Sequence, residues 1–258
     1  YALGLNCELP PFDNVHVRRA VAFALDRAKV ERLDPGRIIA AGQVLPPMLA
    51  PHDPELPTRQ YFDLERAKEE MRLAGYPDGL DEPVTVWVRG DSEVRLAQLF
   101  QQDLKAIGIE IELKLVTFAT YLRETGRPRV AQAAFTGWHQ DFPDPSNFMD
   151  ILFHSRSIHP ENSENRAFYR NPELDAILDA ARPETDRDKR LALYAQANAI
   201  LTEDAPWALV VYPVDMIAWQ PYVKGFRPHP VWANEYRHVW LDLPKKRVSQ
   251  SIYEEGSP

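Results

Sequence analysis

Residues 83–116 constrain this chain more than any other stretch. In PVTVWV, Val84, Val86 and Val88 fall on one face of an extended segment, the period of two that a half-buried strand requires. SEVRLAQLFQQDLKAIG then sets Leu96, Leu99, Phe100, Leu104 and Ile107 on one helical stripe and stops at Gly108. IEIELKLV returns to alternation, with Ile109, Ile111, Leu113 and Leu115 against Glu110, Glu112 and Lys114. Strand, helix, strand predicts two neighbouring or near-neighbouring parallel strands joined by a right-handed crossover. The fold class read from this unit is α/β.

The flanking segments supply more helices and short strands. VHVRRAVAFALDRAKV (residues 15–30) places Val17, Val21, Ala24, Leu25 and Ala28 on one side of an amphipathic helix, entered through PPFDN. Five prolines between Leu45 and Pro57 forbid regular helix and predict an extended surface loop. A second helix is expected from Asp63 as cap to Ala74, closed by Gly75. A short helix near Phe118–Glu124 precedes a strand in VAQAAFTGW. Helices follow at Pro172–Ala181, carrying Leu174, Ile177 and Leu178, and at Asp186–Glu203, carrying Leu191, Tyr194, Ala195, Asn198 and Leu201. WALVVYP, VDMIAW and YRHVWLDL are short strand candidates, and residues 247–258 are expected to form a flexible tail.

Between the VAQAAFTGW strand and the last two helices lies GWHQDFPDPSNF, Gly137 to Phe148. One Trp, two Phe, two Asp and two Pro in twelve residues make it too broken for a helix and too aromatic for an idle loop. A stiff acidic loop with aromatic walls is a candidate binding element.

Composition and motifs narrow the function. The chain has 258 residues, 45% of them hydrophobic, enough for a sizeable core in one large or two modest domains. A net charge of −8 spread over both signs argues against nucleic-acid binding, and KKR at residues 245–247 is too short to reverse that. No run of eighteen apolar residues is present, and any targeting signal is expected to lie outside this sequence. The single cysteine, Cys7, allows no internal disulfide. No two glycines stand two apart, so neither a dinucleotide fingerprint nor a phosphate-cradling loop is present, and no GxSxG elbow occurs. His139, His154 and His159 lack metal-ligand spacing, so neither a metal nor a cofactor is expected. Asp141 and Asp144 could serve a glycosidase-like hydrolase, although acids in a proline-rich loop are commonly turn formers.

Four separated segments together carry a family resemblance. They are NCELPPFDNVHVRRAVAFALDR (Asn6–Arg27), FDLERAKEEMRLAGYPDG (Phe62–Gly79), the GWHQDFPDPSNF loop followed by NRAFYRNPELDAILDAA (Asn165–Ala181), and VKGFRPHP (Val223–Pro230). In this order they resemble the second half of the dipeptide and oligopeptide binding proteins of ABC importers, the family 5 extracellular solute-binding proteins. Cys7 departs from the small polar residue usual there.

The resemblance implies a periplasmic-binding-protein-like lobe with a mixed sheet flanked by helices. Residues 1–14 would connect from a missing first lobe, 15–220 would form the second lobe, and 221–246 would return toward the first. It implies a non-enzymatic, periplasmic or extracytoplasmic substrate-binding component for peptides or small solutes, partnered by an ABC permease and closing two lobes over its ligand. On the same resemblance Asp141, three residues after Trp138, takes the ligand ammonium; Trp138 packs on the ligand; Arg89 meets a ligand carboxylate. Against this stand plainer roles: Trp138 and Phe142 as core plugs, Asp144 and Pro145 as a turn, Arg89 as an exposed arginine. A lobe repurposed as a sensory or scaffold domain is the alternative from another class.

Overall fold

The computed structural model describes residues 1–229, 231 and 235–243, and the expected tail at 247–258 lies outside them. The chain divides into two compact units, Tyr1–Val214 and the part from Asp215 onward. In the first unit, period-two alternation builds the sheet that the sequence promised. After β1 (Ala2–Leu5), α1 (Val15–Ala24), α2 (Ala28–Leu33), β2 (Ile38–Ala40) and α3 (Leu64–Leu73) comes the unit β3 (Val84–Val88), α4 (Asp91–Lys105), β4 (Ile111–Leu115). β3 and β4 pair in parallel from Val84↔Ile111 to Val88↔Leu115, so the two strands are direct neighbours. Then follow α5 (Phe118–Thr125), β5 (Ala133–Thr136), α6 (Ser146–Phe153), α7 (Pro172–Ala181), α8 (Arg187–Asp204), β6 (Trp207–Leu209) and β7 (Val211–Pro213).

The five-stranded sheet runs β4-β3-β5-β1-β6. β3 is parallel to β4 and β5, whereas β1 is antiparallel to β5 and β6, so the sheet is mixed. Alternate residues sort its faces. Leu3, Leu5, Val84, Val86, Val88, Ala133 and Phe135 join Phe100 and Leu104 of α4 in one core. Trp87 and Ala134, one residue out of phase, pack with Tyr121 instead, and Ala2, Trp207 and Leu209 join Met149, Phe153, Tyr194 and Leu201 in another core. Helices thus flank both faces. β1 is a strand of this sheet, and β2 pairs with β7 in a separate two-stranded ribbon.

The helix expected over 15–30 stops at Ala24. Its end is capped from inside: Arg27 turns into the core and donates to the carbonyl oxygens of Ala22 (3.0 Å), Leu25 (3.0 Å) and Leu209 (2.7 Å). A guanidinium supplies several donors where a helix C-terminus leaves carbonyls unpaired, and this outweighs continued helical periodicity. Asp26 Oδ1 then accepts from Ala28 N (3.2 Å) and α2 starts anew. The proline passage forms turns with Leu45, Leu49 and Leu56 buried beneath it. VDMIAW forms no strand. Asp63 caps α3 by accepting from Arg66 N at 3.0 Å, and Gly75 ends it at φ +91°, as the sequence predicts.

In the second unit, β8 (Val223–Lys224) pairs antiparallel with β9 (Trp240–Leu241), and Phe226 lies edge-on to Trp219 at 4.9 Å. Met216, Trp240 and Leu241 are exposed. Among the described residues no helix is long and apolar enough to cross a membrane.

Candidate functional site

Parallel strands in an open α/β sheet present their carboxyl ends at one edge, where ligands commonly bind. Here that edge is formed by β3, running into Arg89 and Gly90, and by β5, running into Gly137 and Trp138. β1 is antiparallel to β5, so its first residues arrive at the same edge: Ala2 faces Thr136, and the Tyr1 carbonyl accepts from Val210 N at 3.0 Å. A Cβ on Gly137 would lie 2.8 Å from Cδ1 of Tyr1, so any larger residue there would displace the Tyr1 ring from the start of the loop. The same ring meets His139 edge-on at 6.4 Å.

The loop's conformation is set by a residue that drew no attention in the sequence. Asn147, in the first turn of α6 and wholly buried, accepts from Trp138 Nε1 (2.9 Å) and from Asp141 N (2.9 Å) on its Oδ1. Its Nδ2 donates to Asp141 Oδ2 at 3.3 Å. Trp138 is half-buried against the core beneath α6 and α8, so its ring is partly a plug, as the plainer reading expected, but its N–H serves the loop. The Asp141 side is exposed; its carboxylate makes no ion pair and its Oδ1 no hydrogen bond among the described residues. Phe142, far from plugging a core, is 46% exposed.

Asp144 is quite different. Arg190 of α8 grips it with two bonds of 2.8 Å, and Ser146 donates to its Oδ1 through both N (2.9 Å) and Oγ (2.6 Å). Partial burial pushes its pKa up, but the Arg190 and Ser146 bonds prevail and hold it at about 2. Asp144 and Pro145 therefore start a helix. The loop expected to run unbroken to Phe148 ends at Pro145, because proline is tolerated at a helix start, where its missing N–H has no intrahelical partner. A carboxylate locked in a bidentate ion pair is no proton donor near neutrality, which removes Asp144 as the second acid of a glycosidase-like pair.

Arg89 stands at the edge, as its place after β3 requires, but it is engaged. Its Nε donates to Glu93 Oε1 at 2.7 Å and its N to Glu93 Oε2 at 2.5 Å, while the guanidinium lies 4.6 Å from the Tyr121 ring centroid and 5.8 Å from that of Phe118. Burial opposes its charge, and the bonds to buried Glu93 together with the Tyr121 hydroxyl more than restore it. No bond joins Arg89 to Asp141 or Trp138; the fold brings Trp138 and Asp141 together through Asn147 and leaves Arg89 on the same edge with its own partner. The Arg89–Glu93 spacing, one helical turn at the entry to α4, was the available sequence signal for that pair.

Elsewhere, His154 lies between Asp175 (3.2 Å) and Asp179 (3.3 Å), and neither this trio nor any other group of His, Cys, Asp or Glu among the described residues is arranged to hold a metal ion. Burial pushes the Cys7 thiol up to about 11, far from the thiolate a nucleophile needs.

Comparison with known proteins gives this edge its context. Residues 1–160 match the model of the bacterial extracellular solute-binding proteins, family 5. Heme-binding protein A of Haemophilus influenzae is 32% identical over 247 residues, covering 93% of this chain and 44% of that protein. Di/tripeptide-binding protein 2 of Pseudomonas aeruginosa is 30% identical over 244 residues, covering 92% of this chain and 45% of that one. The periplasmic binding protein DppA from Helicobacter pylori, associated with an ABC transporter and solved with the peptide STSA, superposes with a TM-score of 0.85 at 28% identity, over 94% of this chain and 47% of that chain. The chain therefore spans a little under half the length of the curated relatives it matches. A mixed sheet with helices on both faces, matched in space and sequence to periplasmic binding proteins, places the chain among the bacterial extracellular solute-binding proteins of family 5.

Proposed function

We propose that this chain is the second lobe of the substrate-binding component of an ABC-type importer, and that it takes a peptide or related small solute by closing with a first lobe over the ligand. Residues 15–220 would form the lobe, 1–14 would lead into it and 221–246 would return from it. The observation that carries the reading is the Asp141 carboxylate: exposed, free of any cationic partner among the described residues, and held at the carboxyl edge of the sheet by a buried amide. A carboxylate so placed can take the ammonium of a ligand as a charge-assisted hydrogen bond. Aromatic side chains belong to the same loop or meet it: Trp138 shares Asn147 with Asp141, Phe142 follows it and is exposed, and Tyr1 lies edge-on to His139, the mix of few polar anchors and aromatic surface that small-molecule sites share.

The relatives point the same way. They include a dipeptide-binding protein of Escherichia coli, and a structural neighbour from Pseudoalteromonas was solved with Met-Leu. Arg89 enters the proposal as part of the rim, because Glu93 already answers its charge. Catalysis is not part of it, since the only acid near Asp141 in the loop is spent on Arg190. Export of the whole protein to the periplasm or cell exterior belongs to the same proposal.

The test is an NMR titration of the chain with alanyl-alaninamide, following the Trp138 indole resonance. A saturable shift in the wild type that disappears in Asp141→Asn supports the reading. Equal shifts in both proteins would remove Asp141 as the anchor.

A further inference from the structure

We infer that Asn147 is the positioning residue of this site: it acts on the ligand only through Asp141, by fixing where that carboxylate points. The inference rests on Asp141 being the anchor. Its geometry fixes the orientation of the amide. Two N–H donors, the Trp138 indole and the Asp141 backbone, converge on one side-chain atom at 2.9 Å each, so that atom is the amide oxygen and the nitrogen must face the Asp141 carboxylate. Nδ2 then holds Asp141 Oδ2 at 3.3 Å, which leaves Oδ1 for an incoming donor.

Asn147 can do this because it stands on firm ground. Its own N donates to Asp144 O at 3.0 Å, Asp144 is clamped by Arg190, and the side chain is 0% exposed, so neither the backbone nor the amide has another place to go. The cost of ordering the carboxylate is thus met during folding and not during binding. Neither Trp138 nor the backbone of residue 141 can replace it, since both are donors to Asn147 and neither reaches the carboxylate.

Removing the amide should separate two effects. The probes are alanyl-alaninamide, which carries an ammonium, and its N-acetyl analogue, which does not. In the wild type the ratio of their dissociation constants measures what Asp141 contributes. Asn147→Ala is expected to shrink that ratio about tenfold, the worth of one hydrogen bond to a charged group, toward the ratio seen in Asp141→Asn, while binding of the acetylated probe changes little. A purely structural role would weaken both probes alike and leave the ratio at its wild-type value, and that result overturns the inference while leaving Asp141 as anchor. If the wild type itself does not distinguish the probes, the anchor reading fails and the positioning role falls with it. Where Asn147→Ala does not fold, Asn147→Ser, whose hydroxyl cannot span both the Trp138 side and the Asp141 side, gives the same readout.

Discussion

Asp141 and Asp144 stand three residues apart in one loop, yet one is an exposed anion and the other a structural clamp. The difference comes from residues that no local pattern could supply: Arg190 is 46 positions from Asp144, and only the packing of α8 beside the loop brings it within reach. The Asp144 pair should be visible in the pH dependence of stability. Its folded pKa is lowered from 3.8 to about 2, so its contribution is fully present above the ordinary value and is lost as pH falls through about 2. Asp144→Asn is expected to lose at most about 2 kcal/mol at pH 7, and its deficit against wild type should shrink between about pH 4 and pH 2. Urea unfolding at pH 7, 4 and 2.5 checks this; a deficit constant with pH would mean the carboxylate charge is not what holds the helix start. Arg89 yields a second prediction of the same kind. Arg89→Met removes the cation while keeping its bulk over Tyr121 and leaves the buried Glu93 carboxylate with only the N-terminus of α4 to answer it, so about 2–3 kcal/mol of stability should go with it, whereas Glu93→Gln leaves a guanidinium that is 23% exposed and still lies over the Tyr121 ring, and should cost less. The order of the two urea midpoints decides the matter.

The elements most legible in the sequence were those whose formation is decided by neighbours a few residues away. Val84, Val86 and Val88 share a core because a strand's side chains alternate, and α4 was readable from its apolar stripe alone. The errors fell where a distant group overrode local preference, at Arg27 capping α1 against Leu209 and at Pro145 opening α6 with help from Arg190. β2 was invisible because Ile-Ile-Ala shows no alternation of polar and apolar residues, and its partner β7 lies far along the chain. Gly108, which ends the α4 turn, shows how tight the crossover is: at φ +77° a Cβ would lie 2.4 Å from Gly79 Cα, and Gly108 O accepts from Leu80 N at 2.9 Å. Gly108→Ala meets both left-handed backbone strain and a backbone collision, and should lower stability by about 2–4 kcal/mol. Gly90 is the contrast. Its φ of −177° is ordinary extended backbone, nothing would touch its Cβ, and it caps α4 without a side-chain bond. Gly90→Ser should therefore be neutral or gain about 0.5 kcal/mol by capping the helix. Thermal or urea denaturation of the two variants in parallel tests whether close backbone approach, and not glycine as such, matters.

At the scale of the molecule, the proposed function depends on how much binding one open sheet edge can support. Among the described residues this edge offers the Asp141 carboxylate without an ion pair, a few aromatic side chains and a guanidinium already paired with Glu93. Tight small-molecule binding needs most of the ligand surface covered, and a ligand lying on an open edge keeps its far side in water while giving up the same translational freedom as in a closed site. One charge-assisted hydrogen bond with partial apolar contact then amounts to about 3–4 kcal/mol, a dissociation constant in the millimolar range or weaker. The expected outcome is therefore a pair of results: calorimetry of this chain with dipeptides shows no micromolar or tighter binding, and a protein that joins it to a first lobe from the same family binds at least about a hundredfold more tightly, with Asp141→Asn abolishing most of that gain. Nanomolar binding by the chain alone would mean that the edge is already a complete site and that closure of two lobes is not how it works.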